Sequence, residues 1–283
     1  MSITSASCTI CGTPHPINYV VLDGKCMCDI CWHKMFPYCK SCGVRLTYDM
    51  NIAYFFKDRD GKLVPYCTKC SKNPVCCCCG LPIQSGHKKI HDERFYCSEC
   101  FSSILQDNTL NISEVWFPVC KFMMQKFNFR VRSPLPQLVT RAQLSELSGN
   151  PDMGQEAGLY KYTYTIKTNI FPLWGSQRTF SNCQIFLLKG LTAEHSEEVL
   201  AHEAGHDLLD SILPMFSEKL YSEGFAQYIA SQYNTCCNRT SRNEEIFSND
   251  DPVYGDGVRL VRDIVAKTGF YGLVNMLRSK YHG

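Results

Sequence analysis

Apolar positions recur with regular periods in the second half of the chain. Residues 192–212 repeat them at the spacing of one helix face, and Thr192 can cap the first turn. Pro214 interrupts this period, and a second amphipathic stretch occupies residues 217–233. The pattern predicts two helices joined by a short turn. The apolar positions of the first helix are Val199, Leu200, Leu208 and Leu209.

Two segments before these helices have the pattern of strands. Residues 158–169 alternate in polarity, and residues 181–190 form an apolar strand that leads into the first helix. We expect strand 181–190 to be an edge strand beside that helix, with a plain core strand as the alternative. Residues 251–277 return to a helical period, which Gly269 divides in two. This half therefore predicts a mainly helical domain with a small β-sheet.

The cysteines divide the chain in the same place. Fifteen of the nineteen cysteines lie between Cys8 and Cys100, in a segment with little aliphatic core. We predict two domains, residues 1–104 and residues 105–283. Twelve cysteines form six Cys-x2-Cys pairs: Cys8/Cys11, Cys28/Cys31, Cys39/Cys42, Cys67/Cys70, Cys76/Cys79 and Cys97/Cys100.

This spacing indicates zinc. Two residues between thiolates let both sulfurs reach one ion at about 2.3 Å, and a second pair completes the tetrahedron. Neighbouring pairs leave loops of 16, 24 and 17 residues, which predicts three structural four-cysteine sites. In the run Cys76–Cys79 the frame is ambiguous, and the Gly-Leu-Pro-Ile that follows favours the two outer cysteines. Residues that could replace a predicted ligand are Cys26, Cys77, Cys78, His33, His87 and His91.

Charge bears on the partners of this module. Residues 1–104 carry 12 Lys+Arg and 8 Asp+Glu, a formal +4, and twelve thiolates with three Zn²⁺ add −12 and +6, giving about −2. Such a surface is poor at binding phosphate, so we expect protein partners and no nucleic acid. The chain has neither a signal-peptide pattern nor an apolar run of about 18 residues. We expect no membrane association and a cytoplasmic location, with the nucleus as the alternative.

The chain contains a His-Glu-x-x-His motif inside the first predicted helix. His202 and His206 lie one turn apart on one face, so both imidazoles can bind one ion, and Glu203 can take a proton from water. Glu223, 17 positions after His206, can return from the second helix as the third ligand, with Glu218 as its rival. Three protein ligands leave the fourth zinc position open, as hydrolysis requires.

Several residues around this motif are candidates for supporting roles. Gln227, one turn beyond Glu223, could orient a ligand imidazole, with a solvated helix position as the equal alternative. Tyr254 is the first candidate for a donor to the oxyanion, with Arg259 and His195 behind it. Asp256 could instead cap the helix that follows.

Six motifs follow one another along the chain: YCSEC, ISEVWFPVCKFMMQKF, PLPQLVTRAQL, LAHEAGH, SEGFAQ and DPVYGDGVR. Their order resembles that of the DA-one family of LIM-containing plant peptidases. The resemblance covers most of the chain from about Pro74 onward and implies a gluzincin-type metallopeptidase domain that cleaves regulatory proteins. It implies His202, His206 and Glu223 as zinc ligands, Glu203 as catalytic, and ubiquitin or ubiquitinated proteins as partners.

The chain departs from that family in two ways. Plant members carry ubiquitin-interacting motifs before the LIM region, whereas the first cysteine pair here begins at Cys8. The separations of 7 and 5 residues between modules also exceed the 2 of a standard LIM domain.

Together the patterns predict an α+β protein in which a LIM-like zinc module precedes a mainly helical gluzincin-type domain with a small β-sheet. We expect an intracellular zinc endopeptidase that acts on protein substrates and holds one catalytic and about three structural zinc ions. The alternative is a non-enzymatic LIM-like adaptor. The presence of Glu203 favours the enzyme, because an adaptor has no need of a base beside the ligands.

Overall fold

The chain divides into two compact units, Met1–Lys89 with Arg94–Ser98 and Ile90–Glu93 with Glu99–Gly283. The computed structural model describes residues 7–14, 19–22, 25–46, 54–58, 61–86, 88–90, 94–105, 109–149, 156–167, 177–214 and 216–281. The fold class is α+β, and cysteine clusters that could bind metal lie in the amino-terminal region.

The first unit consists of short antiparallel hairpins. Strand β1 (Tyr19–Leu22) pairs with β2 (Lys25–Cys28), β3 (Tyr54–Lys57) with β4 (Leu63–Tyr66), and β5 (Lys88–Lys89) with β6 (Phe95–Tyr96). Helix α1 (Asp29–Lys34) follows the first hairpin. Helix α2 (Ser98–Ser102) follows β6 along the chain and, from Glu99 onward, belongs to the second unit. Each hairpin is too small to bury a core of its own, which leaves the cysteine clusters to hold the unit together.

One turn is repeated three times in this unit. In each copy, the N–H of the glycine after a cysteine pair donates to the carbonyl of the first cysteine at 2.9 Å. These glycines have φ values of 70 to 75°, where any other L-residue is strained. The three glycines are Gly12, Gly43 and Gly80.

The second unit packs helices around a three-stranded sheet. Strand β7 (Gln137–Val139) runs parallel to β9 (Gln177–Leu188), and β8 (Gly158–Lys167) runs antiparallel to β9. The strand order is β7-β9-β8, so the predicted edge strand is the central strand and β8 is an edge strand. The edge position predicted for residues 181–190 was wrong, and the alternative of a core strand is confirmed, because the apolar pattern of a strand does not specify its neighbours. The helices are α3 (Thr109–Phe127), α4 (Arg141–Ser148), α5 (Ala193–Ile212), α6 (Lys219–Cys236), α7 (Thr240–Ser248) and α8 (Tyr254–Tyr281).

Helix α5 lies at the centre of this unit. Thr192 caps it as predicted, since its side chain accepts from His195 N–H. The helix ends at Ile212, two residues before Pro214, which confirms the predicted break. Most of its surface is buried against α3, α6, β8 and β9. Leu200 of α5 belongs to a core whose other large side chains include Met123, Ile185, Leu187, Phe225, Ile229 and Leu273.

Glycines allow α6 to lie in backbone contact with both of its neighbours. A Cβ at Gly205 would lie 2.9 Å from the Cα of Ala226, where α5 and α6 cross. A Cβ at Gly224 would lie 2.4 Å from the carbonyl carbon of Gly257, where α6 and α8 cross. Helix α8 is broken at Gly269 (φ 73°), which confirms the predicted division.

Replacing the glycines of the α6–α8 crossing is expected to separate the two helices. Gly224→Ala and Gly257→Ala should each lower the free energy of unfolding by about 1–3 kcal/mol, because the added methyl meets backbone atoms that cannot rotate away. The two changes should be non-additive by about 0.5–3 kcal/mol, because one displacement of α8 relieves both clashes. Urea denaturation of the single and double variants measures this coupling, and additive effects would contradict the crossing described here.

Among the described residues, no helix combines the length and apolarity that a bilayer span requires.

Candidate functional site

Three predicted ligand side chains converge between α5 and α6. The Nε2 atoms of His202 and His206 are 3.1 Å apart. Glu223 Oε2 is 3.3 Å from the first of these nitrogens and 3.4 Å from the second. The convergence depends on the helix crossing at Gly205, which brings the first turns of α6 against the His-Glu-x-x-His turns of α5.

These separations fit a single ion. Atoms bonded to zinc at about 2.0–2.1 Å with tetrahedral angles lie about 3.3–3.4 Å from one another. Two imidazoles and one carboxylate also form a donor set that zinc prefers. The group therefore could hold a metal ion, and its geometry is compatible with zinc.

Mutual electrostatics already favour this arrangement. Burial alone would raise the pKa of the Glu223 carboxyl, but hydrogen bonds from His202 and His206 lower it well below its usual range. Burial alone would lower the pKa of His206, whereas the adjacent Glu223 carboxylate raises it. Without a metal the site thus holds an ionised carboxylate beside a histidine that favours the protonated form, and a metal ion would have to displace that proton.

Glu203 lies beside the ligands in a tight, buried position. Its side chain is 5% exposed, and burial raises the pKa of its carboxyl group. A Cβ at Gly158, the first residue of β8, would lie 2.5 Å from Glu203 Oε1. The absence of a side chain at Gly158 therefore leaves the room that this carboxylate occupies.

An open cleft of about 790 Å³ contains the three ligands and Glu203. Strand β8 lines one side through the segment from Gly158 to Tyr162, and α5 and α6 line the floor. Tyr254 lines the cleft from the start of α8, with its ring 6.4 Å from that of His202. Its hydroxyl lies 3.5 Å from Glu156 Oε1.

Of the other candidate residues, two line the cleft and Glu218 does not join the ligand group. Gln227 and His195 line the cleft. Glu218 instead accepts a hydrogen bond from the Tyr281 hydroxyl at the start of α6. It lies outside the group formed by the two histidines and Glu223.

Arg259 and Asp256 form an ion pair at the start of α8. The Arg259 guanidinium donates to Asp256 and to the carbonyls of Phe247 and Asn249, so it holds the preceding loop and does not line the cleft. Asp256 lies within the first turn of α8. The Asp251 carboxylate accepts from the N–H of Val253 and from that of Tyr254, the first residue of α8, which corrects the predicted cap.

A buried charge network that the sequence did not reveal lies beside His206. Arg132 donates to Asp207 and Asp210 on α5, each at 2.7 Å. The central carbon of its guanidinium group lies 4.1 Å from the centroid of the Phe180 ring. Tyr160 on β8 donates to Asp207 at 3.0 Å. Asp207 is fully buried, and the network joins β8 to α5.

Arg132→Met is expected to destabilise the second unit by about 3–5 kcal/mol, because it leaves Asp207 and Asp210 buried without their cation. Arg262→Met is the control. Arg262 pairs with Asp263 at the surface, where such a pair contributes about 0–1 kcal/mol. Urea denaturation compares the two variants, and equal midpoints would contradict a stabilising role for the network.

Three clusters of four cysteines could hold further ions: Cys8/Cys11/Cys28/Cys31, Cys39/Cys42/Cys67/Cys70 and Cys76/Cys79/Cys97/Cys100. Within each cluster the sulfurs lie within 4.8 Å of one another. The Sγ atoms of Cys11 and Cys28 are 3.7 Å apart and those of Cys42 and Cys67 are 3.8 Å apart. These distances exclude disulfides and match the separation of about 3.8 Å expected for two thiolates on one tetrahedral zinc.

Backbone groups favour the thiolate form of the first cysteine in the first cluster. N–H groups of Cys28 and Cys11 lower the pKa of the Cys8 thiol to about 6, which favours the thiolate that a metal binds. Cys26, Cys77 and Cys78 lie outside the clusters. His87 and His91 lie outside the described residues, as does the side chain of His33.

No protein-family model, curated protein or solved structure matches this chain.

Proposed function

We propose that the chain is a zinc-dependent endopeptidase whose amino-terminal zinc module contacts proteins. The observation that carries the proposal is the convergence of His202, His206 and Glu223 in an open cleft that also contains the buried Glu203. A purely structural zinc site would enclose four protein ligands, whereas three ligands facing a cleft leave a position for water and substrate.

The residues divide the chemistry among themselves. His202, His206 and Glu223 would hold the zinc ion, which would supply a Lewis acid for the water and for the substrate carbonyl group. Glu203 accepts the proton of the attacking water and can return it to the leaving nitrogen. Its burial favours this role, because a raised carboxyl pKa brings the proton affinity closer to what both transfers need.

Strand β8 is our proposed binding edge for the substrate backbone. Its inner edge pairs with β9, while no strand pairs with its outer edge among the described residues. The same strand lines the cleft beside Glu203. An extended peptide could add to this edge by main-chain hydrogen bonds, which suits unfolded or flexible protein segments of varied sequence.

Tyr254 is our proposed donor to the oxyanion. It faces His202 across the cleft, and burial together with the nearby Glu223 and Glu156 raises its pKa well above the usual range. The phenol therefore stays protonated and able to donate. Two other residues were candidates for the oxyanion donor. His195 also lines the cleft, whereas Arg259 donates hydrogen bonds to the loop before α8.

The proposal is tested by metal content and cleavage together. We expect about four zinc ions per chain and metal-dependent cleavage of an unfolded, fluorescently labelled protein. His206→Ala should remove one ion and abolish cleavage, because two remaining ligands bind zinc weakly. Three ions in the parent, with none lost in His206→Ala and no cleavage by either, would contradict the enzyme and favour a LIM-like adaptor.

A further inference from the structure

The two nitrogens of the His206 ring face different groups. Nε2 lies in the ligand triad, 3.1 Å from His202 Nε2 and 3.4 Å from Glu223 Oε2. Nδ1 lies 3.3 Å from the hydroxyl oxygen of Ser222. Ser222 immediately precedes Glu223 in α6, so one turn of this helix contacts both nitrogens of the same imidazole.

The ligand role of one nitrogen decides the role of the other. A neutral imidazole carries one N–H, and the nitrogen that binds a metal must be the unprotonated one. If Nε2 faces the ion, Nδ1 carries the hydrogen. The hydroxyl oxygen of Ser222 is then placed to accept that hydrogen bond.

We propose that Ser222 is the positioning residue for His206, fixing the tautomer in which Nε2 is free to bind metal and holding the ring in the plane of the triad. This inference rests on the proposed function. Gln227, which the sequence offered for such a contact with a solvated position as the equal alternative, lines the cleft one turn beyond Glu223.

The position of Ser222 links metal binding to the packing of α6 against its neighbouring helices. Gly205 against Ala226 and Gly224 against Gly257 fix the height and rotation of this helix. Because Ser222 and Glu223 are consecutive, the same packing brings the carboxylate to Nε2 and the hydroxyl to Nδ1. Partners of this kind typically contribute about 10–100-fold in metal affinity.

The test is the zinc affinity of the fourth site, formed by His202, His206 and Glu223, in the full-length chain. It is measured by competition with a chelator after the three cysteine clusters have been filled with zinc. Ser222→Ala should raise the Kd by about 10–100-fold, while Ser222→Thr, which keeps a hydroxyl, should restore tight binding. Ser231→Ala is the matched control. The Ser231 hydroxyl lies on the same helix and donates to the carbonyl oxygen of Tyr228, away from the triad. Its removal should leave the Kd unchanged.

A second measurement reports the hydrogen bond itself. In nitrogen-15 spectra of the zinc-loaded parent, His206 Nδ1 should carry a slowly exchanging proton, and Ser222→Ala should make that proton exchange rapidly. Parent-like affinity and exchange in Ser222→Ala would overturn the proposal and leave the proposed function intact. Equal losses in Ser222→Ala and Ser231→Ala would also overturn it, since they would indicate general damage to α6. A parent with no fourth zinc site would contradict the proposed function itself.

Discussion

Glu203→Gln is expected to lower peptide cleavage by about 10²–10⁴-fold while all four zinc ions remain bound. The amide has nearly the shape of the carboxylate but cannot accept the proton of the attacking water. Glu203 lies outside the ligand triad, so its loss leaves the metal donors in place. The rate under saturating substrate should fall, with little change in KM, because the lost interaction acts in the transition state.

Glu197→Gln provides the control for this change. Glu197 lies on the same helix, accepts hydrogen bonds from Tyr233 and Arg239, and does not line the cleft. Its amide variant should cleave at a rate close to that of the parent. The assignment of Glu203 would be wrong if its variant cleaved as fast as the parent, or if the variant lost the fourth zinc ion.

Cys39→Ser should unfold its region of the first unit and remove one zinc ion per chain. Cys39 is 2% exposed and lies in a small cluster with Leu46, Val64 and Tyr66, which is too few apolar side chains to hold the hairpin alone. Structural zinc contributes about 10–16 kcal/mol in small zinc-dependent modules, far more than this cluster can replace. Circular dichroism and metal analysis measure the two effects.

Cys26→Ser is the matched control, because Cys26 is also buried but lies outside the four-cysteine groups. It should retain four zinc ions and the structure of the first unit. Loss of an ion from this variant, or retention of four ions in Cys39→Ser, would contradict the ligand groups described here.

Local patterns in the sequence were sufficient to predict the helix and the cysteine pairs that carry the candidate metal ligands. A capping threonine, a proline after the last turn and a 3.6-residue apolar period located α5 closely, since each of these acts within a few residues of chain. The Cys-x2-Cys pairs likewise gave the three clusters, because a metal ion demands its ligands at fixed short spacing. The glycine after each first pair repeats the same local turn.

Contacts between segments that are distant in the chain could not be predicted from such local patterns. The Arg132 network joins residues 75 positions apart, and nothing in the neighbourhood of Arg132 identifies Asp207 as its partner. The choice of β8 as the edge strand also depends on β7, which is three residues long and too short for a clear period.

The sequence by itself determined which residues can bind metal, since His202 and His206 share a helix face and the cysteine pairs share a turn. The sequence favoured Glu223 over Glu218 as the third ligand, but only the tertiary structure decided that Glu223 meets both histidines and that Ser222 reaches the far side of His206. The reason is physical: periodicity fixes the direction of a side chain around its own helix. The height and rotation of one helix against another are set by backbone contacts at glycines such as Gly205 and Gly224, whose partners lie elsewhere in the chain.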